Sequence, residues 1–168
     1  MKDMNFYDHF EDMCKALDSH GVFLAVKDKK GRSNIMTIGW ATNGIIWSRP
    51  VITVLVRPTR YTHELIEDAS CFSVCIPAGA KLQKELMLCG SRSGRDMDKA
   101  KECGITLVPG KLDDAVIIKE CKYIYECEIV HKNIIDPKTL KAEIIADLYP
   151  KRDFHTIYFG EIKYSYII

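Results

Sequence analysis

From Val22 onward the chain is a succession of short β-rich runs, at 22–27, 34–42, 45–47, 51–56, 71–76, 115–118, 121–131, 142–149 and 155–166. Turn signals such as Lys29-Lys30-Gly31-Arg32 and Asn43-Gly44 separate them. Helical spacing is confined to 5–18, 61–69, 80–90 and a stretch near 98–103. In the first of these, Phe6, Tyr7, Phe10, Met13, Cys14 and Leu17 recur on one face between polar neighbours. Strands do not alternate with helices, so a doubly wound parallel sheet is excluded and an antiparallel barrel, closed or partly closed, is expected.

A chain of 168 residues has room for one domain, 1–168, and its 47% apolar and 28% charged residues suit a packed core. The formal net charge of +1 argues against a nucleic-acid binder, which needs a basic excess. Seven cysteines cannot all pair, and none stands in a CxxC or finger spacing, so reduced thiols and no metal are expected. The polar, acidic N-terminus lacks an apolar leader core and no run approaches 18 apolar residues, so we expect a cytoplasmic protein with no membrane span. Nucleotide-binding loops are missing too. There is no GxGxxG, and Gly104–Lys111 has one residue too many for a P-loop, with Leu112 where a hydroxyl is required.

Three segments could carry chemistry. In Asn34–Ala41 (NIMTIGWA), Met36, Ile38 and Trp40 alternate with Ile35, Thr37, Gly39 and Ala41, giving one bulky and one nearly bare strand face. A bare face with a glycine admits a flat ligand, or marks a bulge in an ordinary sheet. In Arg57–Ala69 (RPTRYTHELIEDA), Pro58 stops a strand and Thr59 or Thr62 can cap a helix flanked by Arg57 and Arg60. That composition suits a phosphate, or a solvated surface where the arginines pair with Glu64, Glu67 or Asp68. In Cys89–Lys99 (CGSRSGRDMDK), glycines, serines and arginines could wrap an anion or form an exposed loop.

NIMTIGWA, RPTRYTHELIE, CGSRSGRDMDK and a final HTIYFGEI at 155–162, in that order and at these separations, resemble the flavin reductase-like family, most of all its flavoredoxin branch. The resemblance runs from about residue 20 to 165. It implies a mainly β fold, a six-stranded antiparallel Greek-key split barrel with peripheral helices, that binds FMN near the interface of a homodimer. Thr37 and Trp40, with neighbours Asn34, Met36, Ile38 and Gly39, would line the flavin ring. Arg57, Thr59, Arg60, Tyr61 and Thr62 would hold its phosphate, and Cys89, Ser93, Gly94, Arg95 and Lys99 would surround the cofactor. Two departures bear on the substrate side: Ala100 stands where the family often has Phe, and Asp153-Phe154-His155 where reductase members have Gly-Asp-His.

A flavin performs the electron transfer itself and asks of the protein a slot, ring hydrogen bonds and a phosphate anchor. The absence of a nucleophilic triad is consistent with that. Arg95, Lys99 and His155 are candidates for a group at the ring edge, His155 being the one candidate catalytic residue. The expected function is therefore an FMN-dependent oxidoreductase, using NAD(P)H or exchanging electrons with a redox protein. The alternatives are a non-catalytic flavin- or ligand-binding homodimer, and a thiol sensor built on Cys71 and Cys75.

Overall fold

The computed structural model describes residues 1–168. Seven strands form a continuous antiparallel path: β3 (Ser33–Ile38), β2 (Val22–Lys27), β6 (Cys71–Ile76), β9 (Tyr123–Ile134), β10 (Thr156–Ile167), β5 (Arg49–Val56) and β4 (Ala41–Ile46). A two-residue strand β1 (Lys2–Asp3) pairs with the end of β10, making an eight-stranded sheet, and β7 (Leu107–Pro109) pairs with β8 (Val116–Ile118) apart from it. The edge strands β3 and β4 lie at opposite ends of this order, yet only Gly39 and Trp40 separate them in the chain. Three Cα steps of about 3.8 Å span at most about 11 Å, so the sheet must roll until its two edges nearly meet. No ladder joins β3 to β4. The result is a barrel split along a seam, with Gly39 and Trp40 at its crossing point.

Alternation along the strands builds the interior. Leu24, Val26, Met36, Ile38, Ile52, Val54, Phe72, Val74, Tyr125 and Tyr158 point inward from six strands into one buried cluster. The opposite face of β2, β3, β6 and β9 is also buried: Phe23, Ile35, Cys75 and Ile124 pack with Leu86, Cys89, Ile105 and Ile117. Helix α3 (Gln83–Ser91), helix α4 (Lys99–Cys103) and the β7–β8 hairpin supply that second layer. The chain continues through helices α1 (Phe10–Ser19), α2 (Tyr61–Ile66) and α5 (Ala142–Leu148) at the periphery. No helix is long and apolar enough to cross a membrane.

Strand β10 serves both halves of the fold. Thr156–Glu161 pairs with β5 while Tyr166 and Ile167 pair with β1; the register against β9 breaks at Phe159/Gly160 and again, between those two pairings, at Ile162/Tyr164. Gly160 has no alternative there, since a Cβ would lie 2.5 Å from the Phe72 ring and 2.6 Å from Cys127 Cβ.

Several expectations need correction. The sheet has eight strands rather than six, because the run expected at 34–42 breaks at the seam into β3 and β4 and the N-terminus adds β1. The run 142–149 is helix α5: Ala142, Glu143, Ala146 and Leu148 favour helix, and Pro150 ends it just past the Tyr149 C-cap. The first helix starts at Phe10 rather than residue 5, since Asp8 Oδ2 accepts from the Asn5 main-chain N–H in a turn and His9 takes φ 61°. Glu126, on the face of β9 opposite Tyr125 and Cys127, is nevertheless fully buried, and it accepts from the Lys111 and Leu112 main-chain N–H groups (2.8 and 2.7 Å) and from Tyr166 Oη (2.5 Å).

Candidate functional site

The seam, the exit of β5, the α3–α4 loop and the start of β10 converge on two adjoining cavities. One, of about 170 Å³, is lined by Met36, Thr37, Ile38, Gly39, Trp40, Leu55, Arg57, Arg60 and His155. The other, of about 80 Å³, is lined among others by Met36, Thr59, Arg60, Tyr61, Thr62, Cys89, Ser93, Gly94 and Lys99. Met36 and Arg60 belong to both. Residues spread from 36 to 155 in sequence are thus brought to one place.

Two cations at this junction lack a counter-charge. Lys99 is 5% exposed, and its Nζ donates 2.8 Å to the Cys89 carbonyl, with no carboxylate in reach. Burial, reinforced by the Arg60 charge, pulls the Lys99 pKa below its ordinary value. The Arg60 guanidinium makes neither ion pair nor hydrogen bond within the chain, although Arg60 forms the N-cap of α2. A buried ammonium held by one carbonyl is costly unless an anion completes it. Hydroxyls of Thr59, Thr62, Ser91 and Ser93 line the same small cavity.

The other two arginines are spoken for. Arg57 Nη1 pairs with Asp153 Oδ1 (2.8 Å), Nη2 donates to the Leu148 carbonyl (2.8 Å), and the guanidinium lies 4.8 Å from the Tyr149 ring centre. It clamps segment 148–153 to the barrel while still lining the larger cavity, and a half-buried guanidinium is satisfied best by a carboxylate at fixed geometry. Arg95 turns to α2 instead, where Nε donates to Glu64 Oε1 (3.0 Å), Nη2 pairs with the same oxygen, and Nη1 donates to the Thr59 carbonyl (3.1 Å). Its guanidinium covers the Tyr61 ring at 5.5 Å. It lines a third groove, of about 730 Å³, with Asn34, Tyr61, Gly94 and Lys99.

Asn34 lies outside both smaller cavities. Its Nδ2 donates 2.7 Å to Thr62 Oγ1, so the pair braces α2 against β3, and Thr62 does not cap the helix. Gly94 closes the wall here, with a Cβ on it falling 2.3 Å from Asn34 Oδ1 and 2.7 Å from Tyr61 Cδ1. Thr37 Oγ1 donates 2.6 Å to the Leu86 carbonyl, and Gly90 packs on the Thr37 side chain. The strand face that looks bare in the sequence is therefore covered by α3, and only the seam end at Gly39 and Trp40 is exposed.

His155 heads β10 and is 7% exposed. Trp40 leans over it at 4.7 Å between ring centres, and its Nδ1 lies 2.7 Å from Tyr149 Oη. Burial and the Arg57 and Arg60 charges, opposed by Asp153, hold the His155 pKa down at about 4, so the ring is neutral at pH 7. Tyr149, absent from the sequence reading, is the functional neighbour it missed, because nothing local in Leu148-Tyr149-Pro150 signals a partner six residues on.

The thiol pair is corrected. Cys71 and Cys75 are 3% and 0% exposed, and burial raises both above the ordinary thiol value, Cys75 to about 12. Four residues of strand separate them by about 13 Å, beyond any disulfide.

The sequence model described as the flavin reductase like domain matches residues 18–166. An uncharacterized protein of Archaeoglobus fulgidus is 32% identical over 99 residues, 59% of this chain and 55% of that protein, so the match spans little more than half of the relative's length. Among solved structures, flavoredoxin of Methanosarcina acetivorans superposes with a TM-score of 0.68 at 28% identity, over 88% of this chain and 68% of that one. Flavoredoxin of Desulfovibrio vulgaris superposes with a TM-score of 0.69 at 26% identity, over 89% and 70%.

Proposed function

The chain belongs to the flavin reductase-like family, and on that premise we propose that it binds FMN across the two cavities joined at Arg60 and acts as an oxidoreductase. The observation that carries the reading is the uncompensated pair of cations, Lys99 and Arg60, at the small hydroxyl-lined cavity. A phosphate fits that donor set. Lys99 would meet it as the buried point charge and Arg60 as the solvent-side fork, with the Thr59 and Ser93 hydroxyls supplying further donors.

The flavin supplies the redox chemistry when bound. The larger cavity is the place for its ring. Trp40 and His155 flank that space, and Gly39 presents backbone without a side chain at the seam. Arg57 acts at one remove, holding segment 148–153 so that His155 faces the cavity. Gly94, wedged against Asn34 and Tyr61, keeps the α3–α4 loop and hence Lys99 in place. FMN is favoured over a dinucleotide because the cations sit in a cavity of only about 80 Å³.

The reading includes a homodimer in the cytoplasm, with NAD(P)H or a redox protein exchanging electrons at the seam. What supports the dimer is exposed apolar surface: Ile45, Trp47, Ile134 and Leu148 are 60%, 58%, 66% and 42% exposed. Trp47 and Ser48 hold the β4–β5 turn at φ 53° and 58°, a strained conformation for non-glycine residues that displays the indole against Phe159 and His131.

The test is the absorbance spectrum of the FMN-reconstituted protein, bleached anaerobically with NADH, NADPH or dithionite. Bleaching by a nicotinamide supports a reductase. Bleaching by dithionite alone leaves an electron carrier, no reversible bleaching leaves the non-catalytic binder, and failure to retain flavin defeats the proposal.

A further inference from the structure

Tyr149 and His155 form a buried polar pair with one unused atom. Tyr149 is 2% exposed, its ring stacks on Phe154 at 4.8 Å, and its hydroxyl meets His155 Nδ1 at 2.7 Å. The buried Tyr149 hydroxyl has no other hydrogen-bond partner in the chain, so Nδ1 is the acceptor for its proton. Burial pushes the Tyr149 phenol up, which keeps it a hydroxyl. A neutral imidazole that accepts at Nδ1 carries its proton on Nε2. That nitrogen has no hydrogen-bond partner in the chain, and the ring lines the cavity beneath Trp40.

The geometry points to Tyr149 as a positioning residue that locks His155 in the Nε2–H tautomer, making the cavity a site for a conjugated carbonyl oxygen. An uncharged donor at that spot suits a carbonyl acceptor better than a carboxylate. The Arg57–Asp153 pair is internally neutral, and Arg57 over the Tyr149 ring fixes the phenol's direction. The inference rests on the flavin reading for what occupies the cavity, though not for the tautomer. Two sources carry this oxygen, the pyrimidine edge of a flavin and the carboxamide of a nicotinamide.

The experiment begins with the ligand-free chain labelled with 15N-histidine. Nitrogen shifts at pH 7 distinguish protonated from bare ring nitrogens, whether or not any flavin binds. The wild type is expected to show protonated Nε2 at His155, and Tyr149→Phe a tautomer mixture with unchanged far-UV dichroism. A bare Nε2 in the wild type, or no change in Tyr149→Phe, would overturn the proposal. Binding then separates the sources, with an expected loss of about three- to tenfold for one neutral hydrogen bond. If the acceptor is the flavin, Tyr149→Phe weakens FMN and riboflavin alike; if it is the nicotinamide, flavin affinity holds and KM for the nicotinamide rises. Movement of neither overturns the site. His155→Gln, which keeps an N–H near the Nε2 position, should retain the affinity that His155→Leu loses. Equal loss in both points to packing and also overturns it.

Discussion

Arg60→Ala gives the cleanest perturbation of the phosphate site. The Arg60 side chain is exposed, has no partner in the chain and makes no capping bond to α2, so its removal breaks nothing in the free protein. Folding stability should therefore move by less than about 0.5 kcal/mol. A charge-assisted hydrogen bond to phosphate contributes about 1.5 to 3 kcal/mol. Exposure and salt screening place Arg60 at the lower end, so FMN affinity should fall about tenfold for a loss near 1.5 kcal/mol. Riboflavin lacks the phosphate and should bind the variant and the wild type equally. Fluorescence titration of both ligands at two salt concentrations reads the difference directly. If FMN and riboflavin weaken by the same factor, Arg60 contacts the ring or nothing, and the assignment is wrong.

Lys99→Met should cost FMN at least as much, about 2 kcal/mol or more, because the ammonium is desolvated before the ligand arrives; equal thermal stabilisation of variant and wild type by saturating FMN would refute this. His155 titrates at about 4 when folded against 6.5 unfolded, so the unfolded chain binds the extra proton between those values and stability rises with pH across that window. His155→Gln should erase that component, roughly 3 kcal/mol at most, seen as a flatter dependence of the urea midpoint from pH 4 to 7; an unchanged slope contradicts a buried neutral histidine. Arg57→Ala breaks the Asp153 and Leu148 bonds and should cost about 1 to 3 kcal/mol, with amide exchange accelerating over 148–155; exchange that speeds up elsewhere and not there would show that Arg57 does not hold the segment.

The sequence carried most of the sheet because alternation is a local signal. Strands β2, β5 and β6 match their expected runs within a few residues, and the clusters around Asn34–Ala41, Arg57–Thr62 and Ser93–Lys99 do meet. Helix α5 departs from the expected strand because Ile144, Ile145 and Tyr149 look β-rich, while Ile144 and Ile145 are only partly buried and leave no clear helical period. Arginine roles were illegible for a different reason. Arg57, Arg60 and Arg95 are alike in sequence, and only tertiary placement gives Asp153 to the first, Glu64 to the third and nothing to the second. Glu126 and the Tyr149–His155 pair were hidden similarly, since a buried polar contact between distant residues has no periodicity to read.

The central claim is that Lys99 and Arg60 wait for a phosphate. A crystal structure of the chain with FMN tests it most directly. We expect the phosphate within hydrogen-bond distance of both Lys99 Nζ and the Arg60 guanidinium, with the ring in the cavity lined by Trp40 and His155. FMN phosphate bound elsewhere, with Lys99 still facing only the Cys89 carbonyl, would contradict the account.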